Sequence, residues 1–210
     1  MIKLGGRGSS SSTRTGTGGK VDVLSADSLI SARERRGAEV DATLSVLRDI
    51  RESYGVDIED AQVVRIKQAG VMAYYDSEGN LAVNNTYFDM QKMNSAYDNS
   101  VASGFHPSRG NKSGMEATVA HEMGHRLTDI AGQNMGWGKW NLELASTKIL
   151  TEARKNLRAS SIASMQGNIS GYAKQNGPEA IAEAFSDVYC NGRKAKREST
   201  AIVNVLKKYL

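Results

Sequence analysis

The sequence predicts an α+β domain, a small antiparallel sheet packed on several helices, and three observations support that expectation. Val, Ile and Tyr concentrate between Gln62 and Asn84, interrupted by turn residues. Helical periodicity occupies the stretch around Val40 and most of the chain beyond Ser113. The 210 residues suffice for one sizeable core and little more.

Residues 1–20 include Gly5-Gly6-Arg7-Gly8 and the serines from Ser9 to Ser12, so they have almost nothing to bury. They are expected to form a disordered basic arm, leaving 21–210 as a single domain. The run Gly16-Thr17-Gly18-Gly19-Lys20 looks like a phosphate-binding loop only superficially. Arg14 stands where that loop needs its first glycine, and Val21 where it needs a hydroxyl. A short helix is expected over 28–36, broken near Gly37. The spacing of Val40, Leu44, Leu47 and Ile50 predicts a helix from Ala38 to Tyr54, with Gly55 at its C-terminus. Residues 62–68 and 70–75 read as strands, and Asp76-Ser77-Glu78-Gly79-Asn80 as the turn into a third strand at 81–84. The polar, glycine-containing stretch 89–112 reads as a long loop; His106-Pro107 within it either lies near the site or, the favoured reading, His106 is an exposed loop histidine.

Helices follow. Ser113 and Glu116 form a capping-box pattern, and Met115, Val119, Met123 and Leu127 mark the buried face of the helix they open. A second long helix is expected over 142–165. A third begins at Pro178, a residue suited to a first helical turn, and an amphipathic helix over 201–210 closes the chain.

Charge separates along the chain. The first twenty residues carry +4 and the last twenty +5, so residues 21–190 carry −5 within the formal total of +4. With the basic charge at the ends and no nucleic-acid-binding module recognisable, nucleic acid is not expected as the main partner. No apolar run is long enough for a membrane span or a secretory signal, and the single cysteine, Cys190, cannot form an internal disulfide. A cytoplasmic protein is expected. Cys190 reads as a small buried residue rather than a ligand.

The chemistry lies in His121-Glu122-Met123-Gly124-His125. Histidines four apart on a helix project from one face, close enough to share a tetrahedral zinc ion. Glu122 between them is placed to take a proton from a metal-activated water and pass it to a leaving amine. Gly124 weakens a helix interior, which implies that something approaches it closely. Two histidines do not complete a site, and the missing ligand is expected from the helix beginning at Pro178. There Glu179, Glu183 and Asp187 share one face among Ala180, Ile181, Ala182, Ala184 and Phe185. Carboxylates on so apolar a helix need partners, either a metal with its histidines or nearby Lys and Arg.

Residues 113–210 resemble the gluzincin metallopeptidases, most closely the catalytic domain of anthrax lethal factor and related phage-encoded domains. The resemblance rests on His121 to His125 continuing through Asp129-Ile130-Ala131-Gly132, then Ser170-Gly171-Tyr172, then Glu179 to Phe185. It implies a zincin-like fold with its metal-site half over 113–190, Zn2+ as cofactor, a peptide or protein substrate, and cleavage by metal-activated water with Glu122 as general base. His121 and His125 would be ligands, and Tyr172 would stabilise the oxyanion, as a phenol donor can. The third ligand depends on the alignment. The lethal-factor pattern, anchored on Tyr172, makes Glu179 the ligand with Glu183 orienting a histidine from behind. A thermolysin-like pattern makes Glu183 the ligand with Asp187 behind it. The first is preferred because it also accounts for the tyrosine. The Gly/Ser-rich basic start and the sheet-to-helix layout also resemble metallopeptidase-like domains of minor head proteins of tailed phages, which implies virion proteins as partners. The alternative is a structural or interaction protein of a virion that keeps the zinc without turnover. Trp137 and Trp140 either line a cleft or pack.

Overall fold

The computed structural model describes residues 30–31, 35, 37–56 and 61–210. In chain order it runs β1 (Ile30–Ser31), α1 (Ala38–Tyr54), β2 (Ala61–Val64), β3 (Ala73–Tyr75), β4 (Leu81–Asn84), α2 (Met90–Ala102), α3 (Gly114–Asn134), α4 (Leu142–Leu157), α5 (Ile162–Ile169), α6 (Gly177–Asn191) and α7 (Arg197–Leu206). The α+β class is as expected. The arm and its glycine-rich run lie outside the described residues.

The sheet is mixed rather than antiparallel, with strand order β1-β2-β4-β3. The β3 and β4 strands form the expected hairpin around Asp76–Asn80, whose Asp76 carboxylate accepts from the backbone N–H of Glu78 and Asn80. β4, however, lies parallel beside β2, in register Ala61↔Leu81 to Val64↔Asn84. The segment between β2 and β3 must therefore cross over. Buried Asn84 makes that crossing possible: its amide donates to Val71 O at 2.8 Å, and its backbone N–H donates to Met72 O at 2.8 Å. One asparagine, through its side-chain amide and its backbone N–H, thus satisfies crossover carbonyls that would otherwise be buried without a partner. Residues 30 and 31, placed by the sequence in a helix, pair with β2 as a short antiparallel strand.

Two further expectations are corrected. The stretch 89–112 contains α2, which Asp89 caps by accepting from Lys92 N at 2.8 Å and which buries Met93, Ala96, Tyr97 and Ser100. The expected helix over 142–165 is two helices. Arg158, in the left-handed region at φ 54°, ends α4, and the Ser161 hydroxyl caps α5.

Helix α3 is the centre of the fold, packed against α1, α2, α4, α6 and the edge strand β3. Its capping box is formed in full. Met115, Val119, Met123 and Leu127 are all fully buried, each worth about 1.5–3 kcal/mol of apolar transfer. The most extensive packing between elements is α3 on α6. Gly124 permits it: a Cβ added there would lie 2.6 Å from Ala182 Cα, inside contact distance of the facing backbone. The two helices cross at this pair, one turn from Glu179 on one side and next to Glu183 on the other. Among the described residues no helix is long and apolar enough to cross a membrane.

Candidate metal centre

The crossing brings His121 and His125 of α3 against the carboxylates of α6. His121 Nε2 lies 3.1 Å from Glu179 Oε2, and His125 Nε2 lies 3.4 Å from the same oxygen. His121, His125 and Glu179 are buried together and present one ligand atom each, grouped so that they could hold a metal ion. Tetrahedral ligands at 2.0–2.1 Å from zinc are about 3.3 Å apart, so both separations suit edges of such a site. Burial fits the same reading. His125 has only the 3.4 Å approach to Glu179 and no well-formed hydrogen bond at either ring nitrogen, a costly state for an imidazole kept from water unless a further partner binds it.

The electrostatics show how densely charge is packed. Burial alone raises a carboxylic acid's pKa, yet the neighbouring His125 and His121 hold Glu179 down to about 2. Glu183 is likewise held to about 2, against burial, by His106 and His121. Burial would lower His121, but its bonds to Glu179 and Glu183 lift it to about 10. A cation is therefore favoured among these carboxylates, as a proton or as a metal ion.

Glu122 differs from both. It is fully buried with neither oxygen hydrogen-bonded, and burial raises its pKa, offset in part by His121, His125 and the backbone of Tyr75 on edge strand β3. Such a carboxylate sits beside the ligand atoms without being held by them, and is free to accept a proton there. Tyr172 is buried against the cluster, its ring stacked on His121 at 5.7 Å. Burial and the Glu179 carboxylate keep its phenol protonated, well above the usual range, so it can donate a hydrogen bond.

The three acids of α6 are separated in role. Glu179 faces both histidines. Glu183 accepts from His121 Nδ1 at 2.7 Å, the nitrogen turned away from the cluster. Asp187 reaches neither histidine, because its oxygens take Asn191 Nδ2 at 2.9 Å and Lys196 N at 2.8 Å. Cys190 is buried, its thiol pushed by burial up to about 12, and stands outside the ligand group. Trp140 is half-buried against Tyr75, with ring centroids 5.5 Å apart, and its backbone N–H donates to Asp129 Oδ1 at 2.5 Å.

One residue was misplaced by the sequence. His106 is buried, not exposed, and its Nδ1 lies 3.0 Å from Glu183 Oε1. The readable signal was the α2 pattern of Met93, Ala96, Tyr97 and Ser100, which carries the chain back toward α3 just before His106. Comparisons of the chain with known protein families, characterised proteins and solved structures find no match.

Proposed function

We propose that the chain is a zinc-dependent peptidase of the gluzincin type, with His121, His125 and Glu179 as ligands and Glu122 as general base. The observation that carries this reading is the pairing of a three-ligand cluster with a buried carboxylate beside it that makes no close hydrogen bond. Zinc supplies an acidified water and a polarised carbonyl when bound. Glu122 accepts the proton and returns it to the leaving amine. Tyr172 donates its phenolic hydrogen to the oxygen that becomes negative. An extended peptide substrate would run along β3, the edge strand of the sheet next to Glu122. Peptides or proteins are the substrates this reading implies, with virion proteins as partners.

A second reading draws on the near-complete burial of all four side chains. It makes the site a structural zinc centre of an interaction protein, with no use for Glu122. Glu122→Gln separates the two, since the amide keeps the shape and loses the base. The peptidase reading expects zinc retained and cleavage of an unfolded peptide library lost. Equal cleavage by the variant and the wild type would refute it, and no cleavage by either, with zinc bound, favours the structural centre.

A further inference from the structure

Glu183 approaches the cluster from behind, and three elements hold it there. Its Oε2 accepts the Ser170 hydroxyl at 2.7 Å. The same hydroxyl oxygen accepts the Ala173 N–H at 3.0 Å, leaving its proton for the glutamate. Oε1 meets two imidazoles, His121 Nδ1 at 2.7 Å and His106 Nδ1 at 3.0 Å. A carboxylate only accepts, so both Nδ1 nitrogens carry hydrogen; His121 Nε2 faces a second carboxylate, Glu179 Oε2 at 3.1 Å, and would give up its proton on binding a metal.

His106 has little freedom to leave this bond. Its ring stacks on Tyr97 at 5.4 Å and meets Phe105 and Tyr172 edge-on at 5.0 and 5.3 Å. The backbone beside it is tied to the Tyr172 segment: Gly171 N donates to Gly104 O at 2.8 Å, and Tyr172 N to Phe105 O at 2.9 Å. The other ring nitrogen, Nε2, is buried without a partner. Burying an imidazole for a single hydrogen bond costs desolvation that an apolar residue of the same size would avoid. The value of this histidine therefore lies in the bond to Glu183 rather than in filling space.

We propose that His106 is a positioning residue of the metal centre, whose Nδ1–H fixes Glu183 Oε1 against His121 Nδ1 and thereby orients His121 toward a metal. The inference rests on the metal-site reading above. It joins the segment carrying Tyr172, the outer carboxylate and a ligand into one rigid layer. Loss of an outer partner of this kind typically weakens metal binding about 10- to 100-fold.

Two amides test it. Asn places its NH2 where imidazole has Nδ1, and Gln places it where imidazole has Nε2. Zinc dissociation constants are measured by chelator competition for the wild type, His106→Asn and His106→Gln, alongside the Tm of each metal-free protein. The expected result is near wild-type affinity for H106N and roughly 10- to 100-fold weaker binding for H106Q, at similar Tm. Equal affinities in the two variants, retained or lost, would overturn the proposal, as would a drop in Tm with unchanged affinity. If H106Q does not fold, His106→Leu replaces it with the same two outcomes. A wild type that binds no stoichiometric zinc overturns the site reading itself, which is a different result from indifferent variants.

Discussion

The two ends of α6 carry the same chemistry and do opposite things with it. Glu179 and Glu183, in its first half, face imidazoles of α3 and of the segment after α2. Asp187, a turn or so further on the same face, faces the backbone N–H of Lys196, where α7 begins, and the amide of Asn191. Sequence spacing puts all three acids on one stripe, but the partner brought by another element decides what each one is for. Where α3 crosses, a carboxylate becomes a candidate ligand. Where α7 starts, it becomes a clamp on a helix terminus.

Removing the three acids one at a time is the sharpest way to break this comparison. Glu179→Ala is expected to weaken zinc binding by more than ~100-fold, the upper end for losing an outer partner. Glu183→Ala should cost about 10- to 100-fold, because His121 keeps its place but loses its orienting acceptor. Asp187→Ala should leave zinc affinity unchanged and lower stability by about 1 kcal/mol, read from chemical denaturation. A variant of Asp187 that loses zinc while remaining folded would erase the distinction.

Gly124→Ala tests the crossing that creates the difference. In an ordinary helix interior this change stabilises by about 0.5–1 kcal/mol. Here the methyl meets Ala182 Cα, so destabilisation of about 1–3 kcal/mol is expected together with weaker zinc binding, as α6 is pushed off the histidines. Unchanged or increased stability would show that the helices do not approach so closely.

The pH dependence of the metal-free protein tests the same cluster of charges directly. Glu179 and Glu183 have folded values near 2, below the ordinary ~4.3, so their stabilisation is present above that value and is lost as pH falls toward 2. His121 is raised to about 10 from ~6.5, so its contribution is full below pH ~6.5 and is lost as pH rises through 10. Denaturation midpoints measured from pH 2 to 10 should fall on both sides of a plateau near pH 5–6. The alkaline fall should disappear in His121→Ala; a profile unchanged by that substitution would assign the fall to other groups.

Much of the site was legible in the sequence because its elements are local. The α3 capping box, the His121 and His125 spacing and the first-turn Pro178 each act within a turn or two. Gly124 was also legible, since its helix cost signalled a close neighbour. The identity of that neighbour, Ala182, was not. What stayed hidden depends on partners distant in the chain. The parallel pairing of β2 with β4 needs Asn84 to bridge to Val71, and the burial of His106 needs Glu183, 77 residues away. Helix α2 was missed for another reason: its Met93, Ala96, Tyr97 and Ser100 stripe is at helical spacing, but the Asn and Ser among its residues read as loop composition.

The central claim, that α3 and α6 together form a metal site, is tested most directly by metal content. Protein purified, stripped with a chelator and reloaded should bind one zinc ion per chain, and the His121→Ala, His125→Ala double variant should bind none. A wild type that takes up no stoichiometric metal, or a double variant that takes up as much, would contradict it.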